Sequence, residues 1–237
     1  MLTRLTSSQQ VLLLWIALVV MTLDHFVLIF HDSSHWIHYL SRFVFPVFAY
    51  LVVYNYHFRT SNKSRYMGRL LLWACISQPI YSWSLDLDLY KLNILFTLFF
   101  GLGFLHGHNF LKHQLHSYHE LALVGYFSLF LVFMGLGILA SYYWFGLALL
   151  TTFALYFSYP SSISLVCVAI NIVLLNLITG NLVQGLYGLS FFLIVLASAK
   201  ITEGVSIPRL SGWMFYAYYP AHLLILGVLR YVVIDLS

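Results

Sequence analysis

Apolar runs of about twenty residues recur along the whole chain, and no other feature limits its possible folds as strongly. A helix needs roughly 20 apolar residues to cross the hydrocarbon core of a bilayer. Only 8% of the 237 residues are charged, whereas a soluble domain carries about 25%. The sequence therefore predicts an all-α, polytopic integral membrane helix bundle, formed as one transmembrane domain over residues 1–237.

Nine of these runs are candidate transmembrane helices, and two are so short that eight or ten helices also fit the sequence. The predicted spans are Gln10–Phe30, Trp36–His57, Tyr66–Trp83, Leu92–Leu105, Leu121–Ala140, Tyr143–Phe157, Ile163–Ile178, Leu182–Ala199 and Gly212–Ile234.

Basic residues are distributed unevenly between the loops that join these spans. The loop after the second span carries Arg59, Lys63, Arg65 and Arg69. Lys and Arg concentrate in cytoplasmic loops, so this loop and the N-terminus are expected on the cytoplasmic side. That arrangement puts eight basic residues inside and three outside. The net charge of +4 is then a consequence of topology, and no nucleic-acid partner is predicted.

Asp24 and His25 stand side by side inside the first apolar run, in its outer half. Ionisable residues at membrane depth are costly, and by default they mark function; the structural alternative is a hydrogen bond between helices. His35, His38 and Arg42 follow at the outer boundary. Arg42 lies four residues after His38, on the same helical face. It either pairs with Asp24 or extends to lipid headgroups.

Polar residues also interrupt the fourth and last spans. Asn93 either joins helices or lines a substrate path. Tyr219 and His222, expected in the cytoplasmic half of the last span, form either a polar wall for a cytoplasmic ligand or part of an aromatic belt. The five histidines from His106 to His119 lie in a loop with a single acid and no cysteine. No metal site is predicted there, because the residue types favour a solvated loop.

Several segments together carry a family resemblance. "IALVVMTLDHF", "SRFVFPVFAYLVV", "YMGRLLLWACISQPIY", "LNILFTLFFGLG" and "FYAYYPAHLLIL" occur in this order. The chain resembles the TraX family, which includes the F-type conjugative pilin N-acetyltransferase. It is more distantly similar to polytopic membrane acyltransferases such as the lysosomal heparan-glucosaminide N-acetyltransferase. The match is close up to Gly103 and in the last span, and rests mainly on hydropathy between them.

The resemblance implies an enzyme of the bacterial inner membrane that acetylates the N-terminal amine of conjugative pilin subunits with acetyl-CoA as cosubstrate. The implied partners are the pilin subunit, the lipid bilayer and the conjugative secretion machinery. Two alternatives stay open at this point. One is an acyltransferase with a glycan or small-molecule acceptor, and the other is a non-enzymatic transporter or assembly subunit.

The resemblance also assigns roles to the polar residues. His25 is the first candidate for the catalytic base, with Asp24 fixing either the tautomer of His25 or that of a neighbouring histidine. His35 and His38 are its competitors, and Arg42 or Asn93 could stabilise an oxyanion. A covalent acetyl-histidine and direct attack by the amine are both compatible with these residues. The residues expected to contact acetyl-CoA are Arg59, Arg65, Arg69, Asn93, Tyr219 and His222.

Overall fold

The computed structural model describes residues 5–31, 36–114, 119–201, 207 and 212–235, and in these ranges it contains helices and no strand. His35 lies outside the described residues. The helices are α1 (Ser7–Phe30), α2 (Ile37–Leu40), α3 (Val44–Tyr54), α4 (Lys63–Ser84), α5 (Ile94–Gln114), α6 (His119–Leu139), α7 (Tyr143–Ser158), α8 (Ser162–Thr179), α9 (Leu182–Ile201) and α10 (Gly212–Arg230). The all-α prediction is confirmed for these parts of the chain.

Seven helical segments in the described ranges are long and apolar enough to cross a membrane, which indicates a membrane protein. Every predicted span coincides with a helix, but two of them fall outside these seven. One is α4, which has 22 residues but is rich in polar side chains. The other is α7, which has only 16 residues. The count of nine spans and a cytoplasmic N-terminus stay predictions.

Helix starts follow from local side-chain chemistry. Thr6 accepts a hydrogen bond from the backbone of Gln9, whose side chain bonds back to Thr6, which completes a capping box at the start of α1. Asn62 caps α4 in the ordinary way by accepting from the backbone N–H of Arg65. These bonds satisfy backbone donors that have no partner inside the helix.

The chain enters the centre of the bundle through a bend between α2 and α3. A 3-10 turn, Ser41–Phe43, joins the two helices. Pro46 lies in the first turn of α3 and has no N–H to bond the carbonyl of Arg42. Asn176 of α8 donates to that carbonyl instead, at 3.4 Å. Pro46 therefore opens the helix locally, and α8 holds the opened turn in place.

Helix α3 is the centre of the bundle and α6 is at its edge. Helix α3 packs against α1, α5, α7 and α9, whereas the main contacts of α6 are with α5 and α7. Within the described residues, 67% of the apolar window of Ile37–Arg59 is buried, against 6% for Glu120–Leu139. Helix α10 packs against α4 and α1. Asp24 and His25 of α1 form hydrogen bonds with the bend before α3 and with α10, respectively.

Candidate functional site

A small cavity lies where α1, the bend before α3 and the start of α7 meet. Its volume is about 270 Å³. We call it the acid–histidine cavity because Asp24 and His25 line it. The other residues that line it and can form hydrogen bonds are Ser41, Arg42, Tyr81, Ser141, Tyr142, Thr179 and Tyr219.

A second and larger cavity lies along the same helix. Its volume is about 640 Å³, and we call it the arginine cavity because Arg59 and Arg69 line one part of it. Tyr66 and Tyr216 lie among its polar residues, and most of the remaining wall is apolar. The two arginines belong to the basic loop and the first turns of α4. The cavity therefore combines cations with a long apolar wall.

The two cavities are adjacent, since four residues line both: Met21, Phe48, Ile94 and Tyr219. Gln10, Leu14, Leu18, Met21 and His25 of α1 all line one cavity or the other. Their spacing of three or four residues places them on one face of the helix. From Gln10 to His25 this face is about 22 Å long, at 1.5 Å per residue. A single helical face thus forms a continuous wall from one cavity to the other.

Two hydrogen-bond donors in α2 and the 3-10 turn hold Asp24 of α1 in place. Its Oδ1 accepts a hydrogen bond from the Ser41 hydroxyl at 2.7 Å and another from Nδ1 of His38 at 2.8 Å. His38 is buried, and within the described residues its Nε2 has no hydrogen-bond partner. Asp24 therefore fixes the tautomer of His38, which was one of the two possibilities that the sequence left open.

His25 pairs with His222 across α1 and α10. Nδ1 of His25 lies 2.8 Å from Nε2 of His222, and the two rings are nearly parallel, at 8°. The expectation that His222 lies in the cytoplasmic half while His25 lies in the outer half is wrong, because hydrogen-bonded residues share one depth. His222 is buried and lines neither cavity.

Arg42 lines the acid–histidine cavity without forming the ion pair that the sequence suggested. Within the described residues, the ion pair of Asp24 is with His38, and the buried Nε of Arg42 has no hydrogen-bond partner. Arg42 and Asp24 both act electrostatically on Tyr142. Burial raises the pKa of Tyr142 to about 12, so this phenol stays protonated. The guanidinium of Arg42 and the hydroxyl of Tyr142 thus belong to residues that line the cavity.

Asn93 is used for structure, which corrects its expected role at a ligand. Its side-chain amide donates to the carbonyl of Ala74 and to Gln78 Oε1, and its oxygen accepts from the backbone of Leu95 at the start of α5. Gln78 Oε1 also accepts from the backbone N–H of Asn93. Both amide hydrogens and the amide oxygen are occupied, so Asn93 joins α4 to α5.

Of the other residues expected to contact acetyl-CoA, three line a cavity and one does not. Arg59 and Arg69 line the arginine cavity, and Tyr219 lines both cavities. Arg59 also donates to the carbonyl of Leu5 at 3.2 Å. Arg65 is exposed and lines neither cavity. His35 is not described, so its expected role stays a prediction.

Sequence reasoning missed several residues of the two cavities. Ser41 could have been found, since it lies three residues after His38 and next to Arg42. Tyr142 and Ser141 could not, because the loop that carries them reaches the site only through tertiary packing. Tyr66 and Tyr216 were likewise indistinguishable from the many interfacial tyrosines of the chain.

Comparison with known proteins places this architecture in a family. The chain is 33% identical over 101 residues to a protein of Dichelobacter nodosus described as "Probable fimbrial assembly protein FimC, serogroup H1". That alignment covers 37% of this chain and 41% of the relative, so the chain spans about two fifths of that relative's length. No solved structure matches. Residues 9–230 match the family described as TraX protein. The predicted resemblance is confirmed, and the chain belongs to the TraX family.

Proposed function

We propose that this protein is an acetyl-CoA-dependent N-acetyltransferase that acetylates the N-terminal amine of pilin subunits in the bacterial inner membrane. Its main support is the continuous face of α1 that joins a cavity with cations to a cavity with an acid and a histidine. Membership of the TraX family, and the fimbrial assembly described for the relative, favour a pilus subunit as acceptor.

The arginine cavity fits the donor. Coenzyme A carries its phosphates at one end and its thioester at the end of a long, flexible arm. Arg59 and Arg69 offer guanidinium groups, which bind phosphate through charge-assisted hydrogen bonds. Leu14 and Leu18 offer an apolar wall for the arm. When bound in this direction, acetyl-CoA supplies an activated acetyl group near the shared residues between the two cavities.

The acid–histidine cavity fits the acceptor. Both described hydrogen bonds to Asp24 end on Oδ1, which leaves Oδ2 to bind the ammonium form of an amine. The side chain of Asp24 is 25% exposed, so an incoming amine can reach it. An α-amino group has a pKa of about 7.7–8.0, so a base of modest strength is enough to deprotonate it. His25, the neighbour of Asp24, lines the same cavity.

The chemistry then requires one base and one hydrogen-bond donor. His25 takes a proton from the bound ammonium, and the freed nitrogen forms a bond to the acetyl carbon. The carbon–sulfur bond breaks, and His25 returns one proton to the leaving thiolate. The guanidinium of Arg42, a residue that lines the cavity, donates to the oxyanion that forms during attack. One further proton is released to solvent, which balances the reaction.

Topology gives the two substrates separate approaches. Acetyl-CoA is made in the cytoplasm, and the basic loop that carries Arg59 and Arg69 is the side predicted to face it. The processed pilin N-terminus would approach from the opposite side, where the secretion machinery is expected to hand over or collect subunits.

Mass spectrometry of pilin from cells with and without the gene tests this proposal. We expect the N-terminus of pilin to carry an acetyl group, which adds about 42 Da to its mass, only when the gene is present. An identical N-terminus in both strains would overturn it. The two adjacent cavities would also suit the transporter alternative. That alternative requires that the purified protein neither binds nor hydrolyses acetyl-CoA.

A further inference from the structure

The hydrogen bonds around His222 have a fixed direction. Nδ1 of His222 lies 2.9 Å from the carbonyl oxygen of Tyr218. A carbonyl oxygen only accepts hydrogen bonds, so Nδ1 of His222 carries a proton. A neutral imidazole has one N–H, and Nε2 of His222 is therefore an acceptor. The residue acts as a donor to its own helix and as an acceptor toward α1.

This direction determines the tautomer of His25. Nε2 of His222 accepts at 2.8 Å from Nδ1 of His25, so that nitrogen must be protonated. The single N–H of neutral His25 is then used, and its Nε2 holds a lone pair. His25 lines the acid–histidine cavity. The hydrogen bond between the two rings keeps this direction when Nε2 of His25 accepts a proton, because Nδ1 of His25 remains the donor.

A second hydrogen bond between the same helices keeps the two rings in register. The hydroxyl of Thr22 donates to the carbonyl of Leu18 at 2.9 Å, and its oxygen lies 2.8 Å from the hydroxyl of Tyr218, which therefore donates. Thr22 precedes His25 by three residues, and Tyr218 precedes His222 by four, so both bonds lie on facing surfaces. The rings of Tyr218 and His222 also stack at 5.4 Å.

We propose that His222 is a positioning residue of the acetyl transfer. It holds His25 in the tautomer whose Nε2 can accept a proton, and it bonds the Nδ1–H of the imidazolium that results. Without this acceptor, His25 is free to adopt the other tautomer, whose Nε2–H cannot act as a base. This inference rests on the proposed function, and it extends that function to a residue that contacts neither substrate cavity.

Kinetics of two variants separate positioning from packing. His222→Leu fills the space with an apolar side chain and removes the acceptor, whereas His222→Gln supplies an amide oxygen that can accept from His25. In full-length protein in bilayer discs, we expect His222→Leu to lower kcat about 100-fold and to leave KM for acetyl-CoA unchanged. His222→Gln should recover at least about tenfold of that loss. His108→Leu, which removes an exposed histidine that lines neither cavity, is the matched control and should behave as wild type.

Equal kcat values for wild type and His222→Leu would overturn the inference, as would equal losses in both variants. A separate measurement does not depend on activity. In ¹⁵N spectra of histidine-labelled protein, the signals lost in His25→Asn belong to His25. In wild type we expect Nδ1 of His25 to be protonated and its Nε2 to be unprotonated. In His222→Leu we expect a change toward the other tautomer of His25. An Nε2-protonated neutral His25 in wild type would overturn the inference, whereas absent acetylation with the expected tautomer would overturn the proposed function alone.

Discussion

The two cavities of this protein share four wall residues, yet they are built in opposite ways. In the acid–histidine cavity the polar groups hold one another, since Asp24 is bonded to His38 and Ser41, and His25 to His222. In the arginine cavity, guanidinium groups adjoin a wall that is mainly apolar. A region whose polar groups are fixed in place suits chemistry, because preorganised groups lower a barrier. A larger region with cations suits capture of an anionic ligand.

This contrast predicts that substitutions in the first cavity lower kcat or raise KM for the acceptor, and that substitutions in the second raise KM for acetyl-CoA. The largest effect is expected for His25→Asn. The amide N–H of the new side chain can still donate to His222, so the helices stay joined, but Nε2 is lost. We expect kcat to fall about 1,000-fold, in the range of a lost general base, in a direct acetylation assay.

A fall below about threefold in His25→Asn would remove His25 from the role of base. His38, whose Nδ1 is already bonded to Asp24, and His35 would then be the residues to test. Binding of acetyl-CoA, measured by calorimetry, is the control, and it should not change because His25 does not line the arginine cavity.

The second largest effect is expected for Arg42→Met, which removes the proposed donor to the oxyanion. Loss of one such donor typically costs about 100-fold in kcat. The side-chain amide of Asn176 donates to the backbone carbonyl of residue 42, and this bond does not depend on the side chain at position 42, so the bend before α3 should be kept. A raised KM with unchanged kcat would instead assign Arg42 to substrate binding.

Asp24→Asn is expected to weaken acceptor binding. The neutral amide keeps an oxygen for Ser41 and His38 but loses the charge that attracts an ammonium group, and hydrogen bonds to charged groups contribute about 1.5–3 kcal/mol. KM for the acceptor peptide should rise about tenfold or more, with KM for acetyl-CoA unchanged. Equal changes in both KM values would contradict the separation of the two cavities.

The smallest expected effect comes from a matched pair in the basic loop region. Arg69→Gln and Arg65→Gln remove the same charge six or fewer residues from the start of α4. Both arginines are exposed, but Arg69 lines the arginine cavity and Arg65 lines neither cavity. We expect Arg69→Gln to raise KM for acetyl-CoA about tenfold and Arg65→Gln to change it less than about twofold, because Arg65 lines neither cavity. Equal effects would indicate a general electrostatic attraction by the loop.

Some of this site could be predicted from the sequence because its signals are local. An acid beside a histidine in an apolar run indicates a candidate functional site from the sequence alone, and Asp24 and His25 do line one cavity. The helices also followed from apolar run length alone. The count of spans did not, because α4 has the length of a span but too many polar side chains, and α7 is apolar but short.

The sequence could not predict which side chains form hydrogen bonds with one another, because these pairings depend on how the helices are rotated and offset along their axes. Adjacent residues on α1 point about 100° apart, so Asp24 faces the bend and His25 faces α10. Counting residues from the end of an apolar run misplaced His222, since the run does not reveal where the helix sits relative to α1. Asn93 looked like a ligand contact because nothing in the sequence shows that Gln78 and Ala74 already use its amide.

A sided acetylation assay tests the central claim most directly. The full-length protein is reconstituted into vesicles in one orientation, and acetyl-CoA and a pilin N-terminal peptide are supplied on chosen sides. We predict acetylated peptide only when acetyl-CoA is on the side of the basic loop that carries Arg59 and Arg69 and the peptide is on the opposite side. Acetylation at the same rate with both substrates on one side, in sealed vesicles, would contradict the joined cavities as the route of transfer.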